Sequence, residues 1–239
     1  GSETGRAAVI VDEASHTKKI IFHPKMMPAI VIADPQLVVG LPPPITAATG
    51  MDALAHCLEA YSAPGYHPMA EGIALEGMRL VHRWLPAAVK DGSNLAARAH
   101  MMAASAMGST AFQKGLGAIH SLSHPVGSVH DVHHGLANGV FMPYVMAYNR
   151  PAIEDKMERL ARFLGLSSPS FKAVLEWVLT LRAEIGIPHA AGDIGLGEDN
   201  LDMLAEMAAA DPTAGANPVH AGAAEMKAMY QAALAGKMD

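Results

Sequence analysis

The spacing of the apolar residues changes near residue 41 of this chain. Before that point, β-branched runs at 7–11, 19–23 and 29–33 predict three short strands, and the first two form a hairpin with a longer loop. After the sequence LPPP at 41–44, apolar residues recur with the period of an α-helix. The pattern therefore predicts a mainly α fold, with a β segment at 1–36 and an all-helical domain at 37–239.

Prolines and glycines divide the helical part into segments. Pro125 and Gly127 predict the end of one helix, so that the histidine-rich stretch 128–135 is expected to be a loop. Alanine and methionine, which favour helices, dominate the apolar residues and indicate a helical bundle. The predicted helices lie near 45–62, 68–90, 95–123 (as one helix or two), 135–147, 151–164, 170–185, 198–209 and from 222 onward.

Composition argues against several classes of protein. The chain has 239 residues, of which 51% are hydrophobic and 17% charged, as is typical of a globular protein with a large core. A net charge of −6 without a basic stripe argues against nucleic acid as a partner, and no apolar run reaches the roughly 18–20 residues of a membrane span. No signal peptide is recognisable, and the single Cys57 cannot form an internal disulfide, so a cytoplasmic location is expected.

The first predicted helix carries an unusual set of polar residues. The segment GMDALAHCLEAY at 50–61 places Asp52, His56 and Glu59 at i, i+4 and i+7. In a helix these three residues lie on one face. For Asp52 and His56 alone, an exposed ion pair is the simpler explanation of the spacing, and a pair of metal ligands is the alternative.

A second set of histidines follows in HSLSHPVGSVHDVHH at 120–134. His120 and His124 are four residues apart, so both can project from the same side of a helix, and His134 lies where a loop meets a helix. Imidazoles together with one carboxylate are ligands suited to Fe, Zn, Ni or Co. The small and apolar residues around these histidines indicate a shielded pocket. The spacing alone leaves a metal site and a coincidence of a histidine-rich sequence equally supported.

Three stretches carry a resemblance to a known family. They are AIVIADPQLVVGLPPPITAATGMDALAHCLEAY at 29–61, KGLGAIHSLSHPVGSVHDVHHGLANGVFMPYVMAYN at 114–149 and DPTAGANPV at 211–219. Together they resemble the iron-dependent (group III) alcohol dehydrogenase family. The resemblance implies the helical-bundle C-terminal domain of a dehydroquinate synthase-like fold, with residues 1–36 as a β remnant of the N-terminal α/β cofactor domain.

The resemblance also implies roles for individual residues. His124 falls on a histidine near the substrate that is suited to relaying a proton, whereas Glu59 matches no ligand and is expected to support a ligand or to face solvent. Ser2, at the end of a glycine-rich loop, and Lys18, on a basic position, are the implied cofactor-binding residues. The four implied metal ligands are Asp52, His56, His120 and His134, with Fe²⁺ expected first and Zn²⁺ or Ni²⁺ as alternatives.

The activity implied by the resemblance is NAD- or NADP-linked interconversion of a small alcohol and an aldehyde or ketone, in an enzyme that often forms homodimers. The sequence GSE at 1–3 matches the end of the family's phosphate-binding loop, although a cloning remnant explains Gly1 and Ser2 equally well. Most of the cofactor domain is therefore expected to be missing and the isolated chain to be inactive. Two alternatives remain: a non-catalytic helical metal-binding or assembly module, and a metal-dependent lyase of the dehydroquinate synthase kind.

Overall fold

The computed structural model describes residues 1–5, 7–12 and 17–238 of the chain. An antiparallel hairpin, β1 (Ala7–Asp12) and β2 (Thr17–Phe22), pairs Val9 with Ile20 and precedes the helices. The mainly α fold predicted from the sequence is thereby confirmed. The described helices are α1 (Pro43–Ser62), α2 (Pro68–Lys90), α3 (Leu95–Ala111), α4 (Ala118–His130), α5 (His134–Leu164), α6 (Phe171–Glu184), α7 (Leu201–Ala210) and α8 (Ala223–Ala235).

Helix α1 lies at the centre of the bundle. It packs against α2, α3 and α5, and α4 packs against α5 and α7. Met51, Leu54 and Leu58 of α1 are buried, as expected for a helix that is apolar on nearly all sides. Among the described helices, none combines the length and the apolar character needed to cross a bilayer.

The third predicted strand is wrong. Residues 29–33 adopt no strand, and Ile30 and Ile32 are 81% and 84% exposed. A β-branched run becomes a strand only when another strand offers its backbone hydrogen bonds, and the described hairpin consists of β1 and β2 alone. The first two strands agree with the prediction to within one residue at most ends.

Two predicted helix ends are also wrong. Helix α4 continues through Pro125 to His130, and α5 is one helix of 31 residues that contains Pro143 and Pro151. The predicted loop shrinks to 131–133, where Asp131 has a φ of 54°. Pro125 and Pro143 are buried among neighbouring helices, so packing there outweighs the lost backbone hydrogen bond.

Gly135 of α5 packs closely against α1 beside Asp52. A Cβ on Gly135 would overlap the carbonyl oxygen of Ala48 and lie 3.2 Å from the Cβ of Asp52. We expect Gly135→Ala to lower the free energy of unfolding by about 2 kcal/mol, because the overlapped atom belongs to the backbone. Chemical denaturation measures this effect.

Gly72→Ala, in α2, is the matched control. A Cβ at Gly72 meets nothing within 4 Å, so this change is expected to raise the free energy of unfolding by about 0.5–1 kcal/mol. Equal changes in the two variants would contradict the prediction.

Candidate metal centre

Three helices bring together Asp52 of α1, His120 of α4 and His134, the first residue of α5. One ligand-capable atom from each lies within 4.8 Å of the other two. The Oδ1 atom of Asp52 is 3.4 Å from Nε2 of His134 and 3.7 Å from Nε2 of His120. Ligands about 2.1 Å from a common tetrahedral metal lie roughly 3.4 Å apart. These three side chains therefore fit a divalent transition metal in chemistry and in spacing.

His56 borders this group without joining its closest atoms. Its Nδ1 atom lies 3.9 Å from Oδ2 of Asp52, and its ring stacks on that of His120 with 4.7 Å between centroids. Burial lowers the pKa of His56 to about 4, although the charge of Asp52 opposes that shift. A neutral imidazole is the form that binds a metal, so His56 is suited to complete the ligand set.

Glu59 supports His120 from behind. Its buried carboxylate accepts a hydrogen bond from Nδ1 of His120 at 2.6 Å and another from the backbone N–H of Ile119 at 2.7 Å. A carboxylate bound to one ring nitrogen directs the other nitrogen to a metal. Burial alone would lower the pKa of His120, but Glu59 and Asp52 raise it to about 9. Of the two roles left open for Glu59 by the sequence, the structure gives it the supporting one.

The pKa of Asp52 is lowered although its side chain is partly buried. Burial alone would raise the pKa of its carboxyl group, but the neighbouring His56, His120 and His134 hold that pKa well below its usual range. The centre therefore contains one carboxylate among imidazoles, which is a donor set typical of catalytic zinc and non-haem iron sites.

His124 lies next to this centre and has a carboxylate partner of its own. Its Nδ1 atom is 2.8 Å from Oδ2 of Asp211, and its ring stacks on that of His134 at 5.3 Å. Asp211 also accepts hydrogen bonds from the backbone and hydroxyl of Thr213. This leaves Nε2 of His124 for exchange of a proton. A cavity of about 220 Å³ adjoins His124, between α4 and the end of α7 with the residues that follow it.

A wider cleft opens over the metal-binding atoms. Its volume is about 830 Å³, and Asp52, His56 and His134 line it together with Phe112 and residues of the N-terminal segment such as Glu3. This space is large enough for a small substrate beside a cofactor ring. The side chains of Ser2 and Lys18, the two residues predicted to bind cofactor, lie outside the described part of the structure.

Sequence reasoning missed two residues of the centre. Asp211 is remote in sequence from His124, and only the fold joins them. Asn138 lies four residues after His134 in α5, and its side-chain nitrogen is 2.7 Å from Oδ1 of Asp52. The i, i+4 spacing from His134 was the available signal, because it places both residues on one face of the helix.

The chain is similar in sequence to known proteins. The C-terminal part of the Fe-containing alcohol dehydrogenase family matches residues 46–234. The 4-hydroxybutyrate dehydrogenase of Cupriavidus necator is 38% identical over 98% of this chain and 63% of its own length. The NAD-dependent methanol dehydrogenase of Bacillus methanolicus is also 38% identical, over 91% of this chain and 59% of its own length.

Solved structures of dehydrogenases and reductases also resemble this chain. A 1,3-propanediol oxidoreductase superposes with a TM-score of 0.92 at 35% identity and covers 96% of this chain, which spans 62% of that protein. A sulfoacetaldehyde reductase from Bifidobacterium kashiwanohense, solved in complex with NAD⁺, has a TM-score of 0.89 at 28% identity and covers 98% of this chain, which spans 61% of that protein. The chain thus spans about 60% of the length of these relatives. It belongs to the iron-containing alcohol dehydrogenase family and carries that family's C-terminal domain.

Proposed function

We propose that this chain forms the metal-binding part of an oxidoreductase that interconverts a small alcohol and an aldehyde or ketone, with NAD or NADP as the hydride carrier. The observation that carries the proposal is the convergence of Asp52, His120 and His134 beneath a wide cleft. Relatives described as 4-hydroxybutyrate, methanol and 1,3-propanediol dehydrogenases support an alcohol as the substrate.

Asp52, His120 and His134 would hold the metal, and His56 would complete the set. Fe²⁺ is the first candidate because of the family, and Zn²⁺ and Ni²⁺ suit the same ligands. A divalent cation bound there supplies a Lewis acid, which lowers the pKa of an alcohol or polarises a carbonyl. Glu59 keeps Nε2 of His120 directed toward Asp52 through its 2.6 Å hydrogen bond to Nδ1.

His124 would exchange the proton of the substrate hydroxyl. Asp211 fixes its ring through Nδ1 and would stabilise the imidazolium that forms when Nε2 takes up a proton. The nicotinamide carries the hydride, and the protein supplies position and electrostatic field. The cleft of about 830 Å³ over Asp52 and His56 would hold both reactants.

Other parts of the proposal rest on the family resemblance. Ser2 and Lys18 would contact the cofactor, and residues 1–36 would belong to its binding domain, with the helical domain at 37–239. Homodimers are a common state in the family, and we propose the same state for the protein that contains this chain. A cytoplasmic location would suit the single buried Cys57.

The proposal is tested with the expressed protein that contains this chain. We expect it to reduce NAD⁺ or NADP⁺ with 1-butanol, 1,3-propanediol or 4-hydroxybutyrate. Activity should disappear after chelation and return with Fe²⁺ or Zn²⁺. A protein that binds the metal but oxidises none of a broad panel of alcohols, and reduces none of the matching aldehydes, would instead support the non-catalytic module.

The role of His124 gives a more specific prediction. We expect His124→Asn to lower kcat by about 100-fold, the usual contribution of a positioned acid–base group, while metal content stays at the level of the parent. Steady-state kinetics and elemental analysis measure the two quantities. His220→Asn, at an exposed position, is the control and should leave both unchanged. An undiminished kcat in His124→Asn would remove this residue from the proton path.

A further inference from the structure

The carboxamide of Asn138 lies beside the group of metal-binding atoms. Its side-chain nitrogen lies 2.7 Å from Oδ1 of Asp52, 3.1 Å from Nε2 of His134 and 3.3 Å from Nε2 of His120. Asn138 is fully buried.

The surroundings fix which end of the amide faces the centre. Oδ1 of Asp52 accepts a hydrogen bond from the side-chain nitrogen of Asn138 at 2.7 Å, as a carboxylate oxygen does. An amide oxygen 2.7 Å from that carboxylate would place two acceptors against each other, so the N–H groups must face Asp52. At the other end, the hydroxyl of Ser123 donates to the amide oxygen. The two N–H groups are thus available for Asp52 and, in the tautomer that leaves its Nε2 unprotonated, for His134.

We propose that Asn138 is a positioning residue of this metal centre, which holds Asp52 of α1 and His134 of α5 together whenever no cation lies between them. The inference rests on the proposed metal site. Asp52 is a partly buried carboxylate, and an anion that is shielded from water without a donor is costly. By supplying N–H groups, Asn138 keeps the metal-binding atoms at the spacing that an ion requires, so that less ordering is needed when the ion binds. The arriving ion then replaces these hydrogen bonds.

Two variants of Asn138 test the inference, each with a matched variant of Asn149. Asn149 is also a buried amide of α5, but it pairs with Asn217 away from the metal-binding atoms. We expect Asn138→Ala to weaken Zn²⁺ binding by about 10- to 100-fold, as loss of a residue that orients ligands does. Asn149→Ala should destabilise the fold and leave Zn²⁺ affinity within about threefold of the parent. Competition with a chromophoric chelator measures both affinities.

The isosteric change Asn138→Asp covers the case in which the alanine variant fails to fold. It removes both N–H groups and brings a second carboxylate against Asp52, so the metal-free Tm should fall. Zn²⁺ should then raise the Tm of Asn138→Asp by more than it raises that of the parent, because the ion neutralises the pair. In Asn149→Asp, Zn²⁺ should give only the shift seen in the parent.

The outcomes separate this inference from the proposed function. If the parent chain binds Zn²⁺ and Asn138→Ala binds it equally well, the inference about Asn138 is wrong and the metal site stands. The inference about Asn138 is also wrong, and the metal site also stands, if Zn²⁺ shifts the Tm of Asn138→Asp no more than that of Asn149→Asp. If the parent chain itself binds no Zn²⁺ under these conditions, the proposed metal site fails, and the inference fails with it.

Discussion

Asp52→Asn is expected to weaken binding of Fe²⁺ or Zn²⁺ more than about 1000-fold. Asp52 supplies the single carboxylate in a group that otherwise consists of imidazoles, so this change removes the only anionic ligand and keeps the shape of the side chain. Loss of a residue that merely orients a ligand costs about 10- to 100-fold, and loss of the charged ligand should cost more. Elemental analysis after anaerobic purification should find about one ion per parent chain and none in the variant.

A matched change separates the ligand from the general effect of a lost charge. Asp155→Asn removes a carboxylate from an exposed position of α5 and should leave the metal content as it is in the parent. Asp52→Asn should also lose the Tm increase that Zn²⁺ gives to the parent, because an ion stabilises only the state that binds it. Equal metal content in the parent and Asp52→Asn would exclude Asp52 as a ligand.

The sequence predicted most helices because their apolar stripes are long and regular. Helix α2 begins and ends at the predicted residues, 68 and 90, and α1 and α6 agree to within two residues. Some errors lie where tertiary contacts decide. Pro125 is buried within α4, where packing outweighs the local preference for a helix end. Pro151 also lies within a helix, α5, but at an exposed position, and nothing in the structure explains why the helix continues through it. Extended residues 29–33 lack a strand partner among the described residues.

The candidate site was predictable in part, because the spacing of residues along a helix shows which of them share a face. Asp52 and His56 share a helix, and so do His120 and His124, so spacing alone placed each pair on one face. Their convergence depends on how α1, α4 and α5 pack, which short-range spacing does not reveal. Asp211 beside His124 and Glu59 beside His120 became visible as partners only in the fold. Whether all four predicted ligands bind one ion stays a prediction, since His56 lies just outside the closest group.

Glu59→Gln should reduce the loss of stability that the metal-free protein shows as the pH rises. Glu59 and Asp52 raise the pKa of His120 to about 9 from 6.5. A histidine with a raised pKa in the folded state stabilises that state fully below pH 6.5, and this contribution is lost as pH rises through 9. The raised pKa of His120 corresponds to a contribution of about 3 kcal/mol at most to the free energy of unfolding. Glutamine carries no charge, so stability of Glu59→Gln in EDTA should decline less between pH 6.5 and 9 than stability of the parent.

The same change should weaken Zn²⁺ binding by about 100-fold at pH 9, because the amide orients the ring of His120 less firmly than a carboxylate does. Denaturation midpoints at pH 6.5, 8 and 9, with EDTA and with Zn²⁺, measure both effects. Glu71→Gln is the control, since Glu71 is bound by Lys114 and Lys156 instead of a histidine. The stability of Glu71→Gln should decline between pH 6.5 and 9 as steeply as that of the parent. A decline in Glu59→Gln as steep as in the parent would mean that Asp52 alone raises the pKa of His120, and that Glu59 serves only to hold the backbone N–H of Ile119.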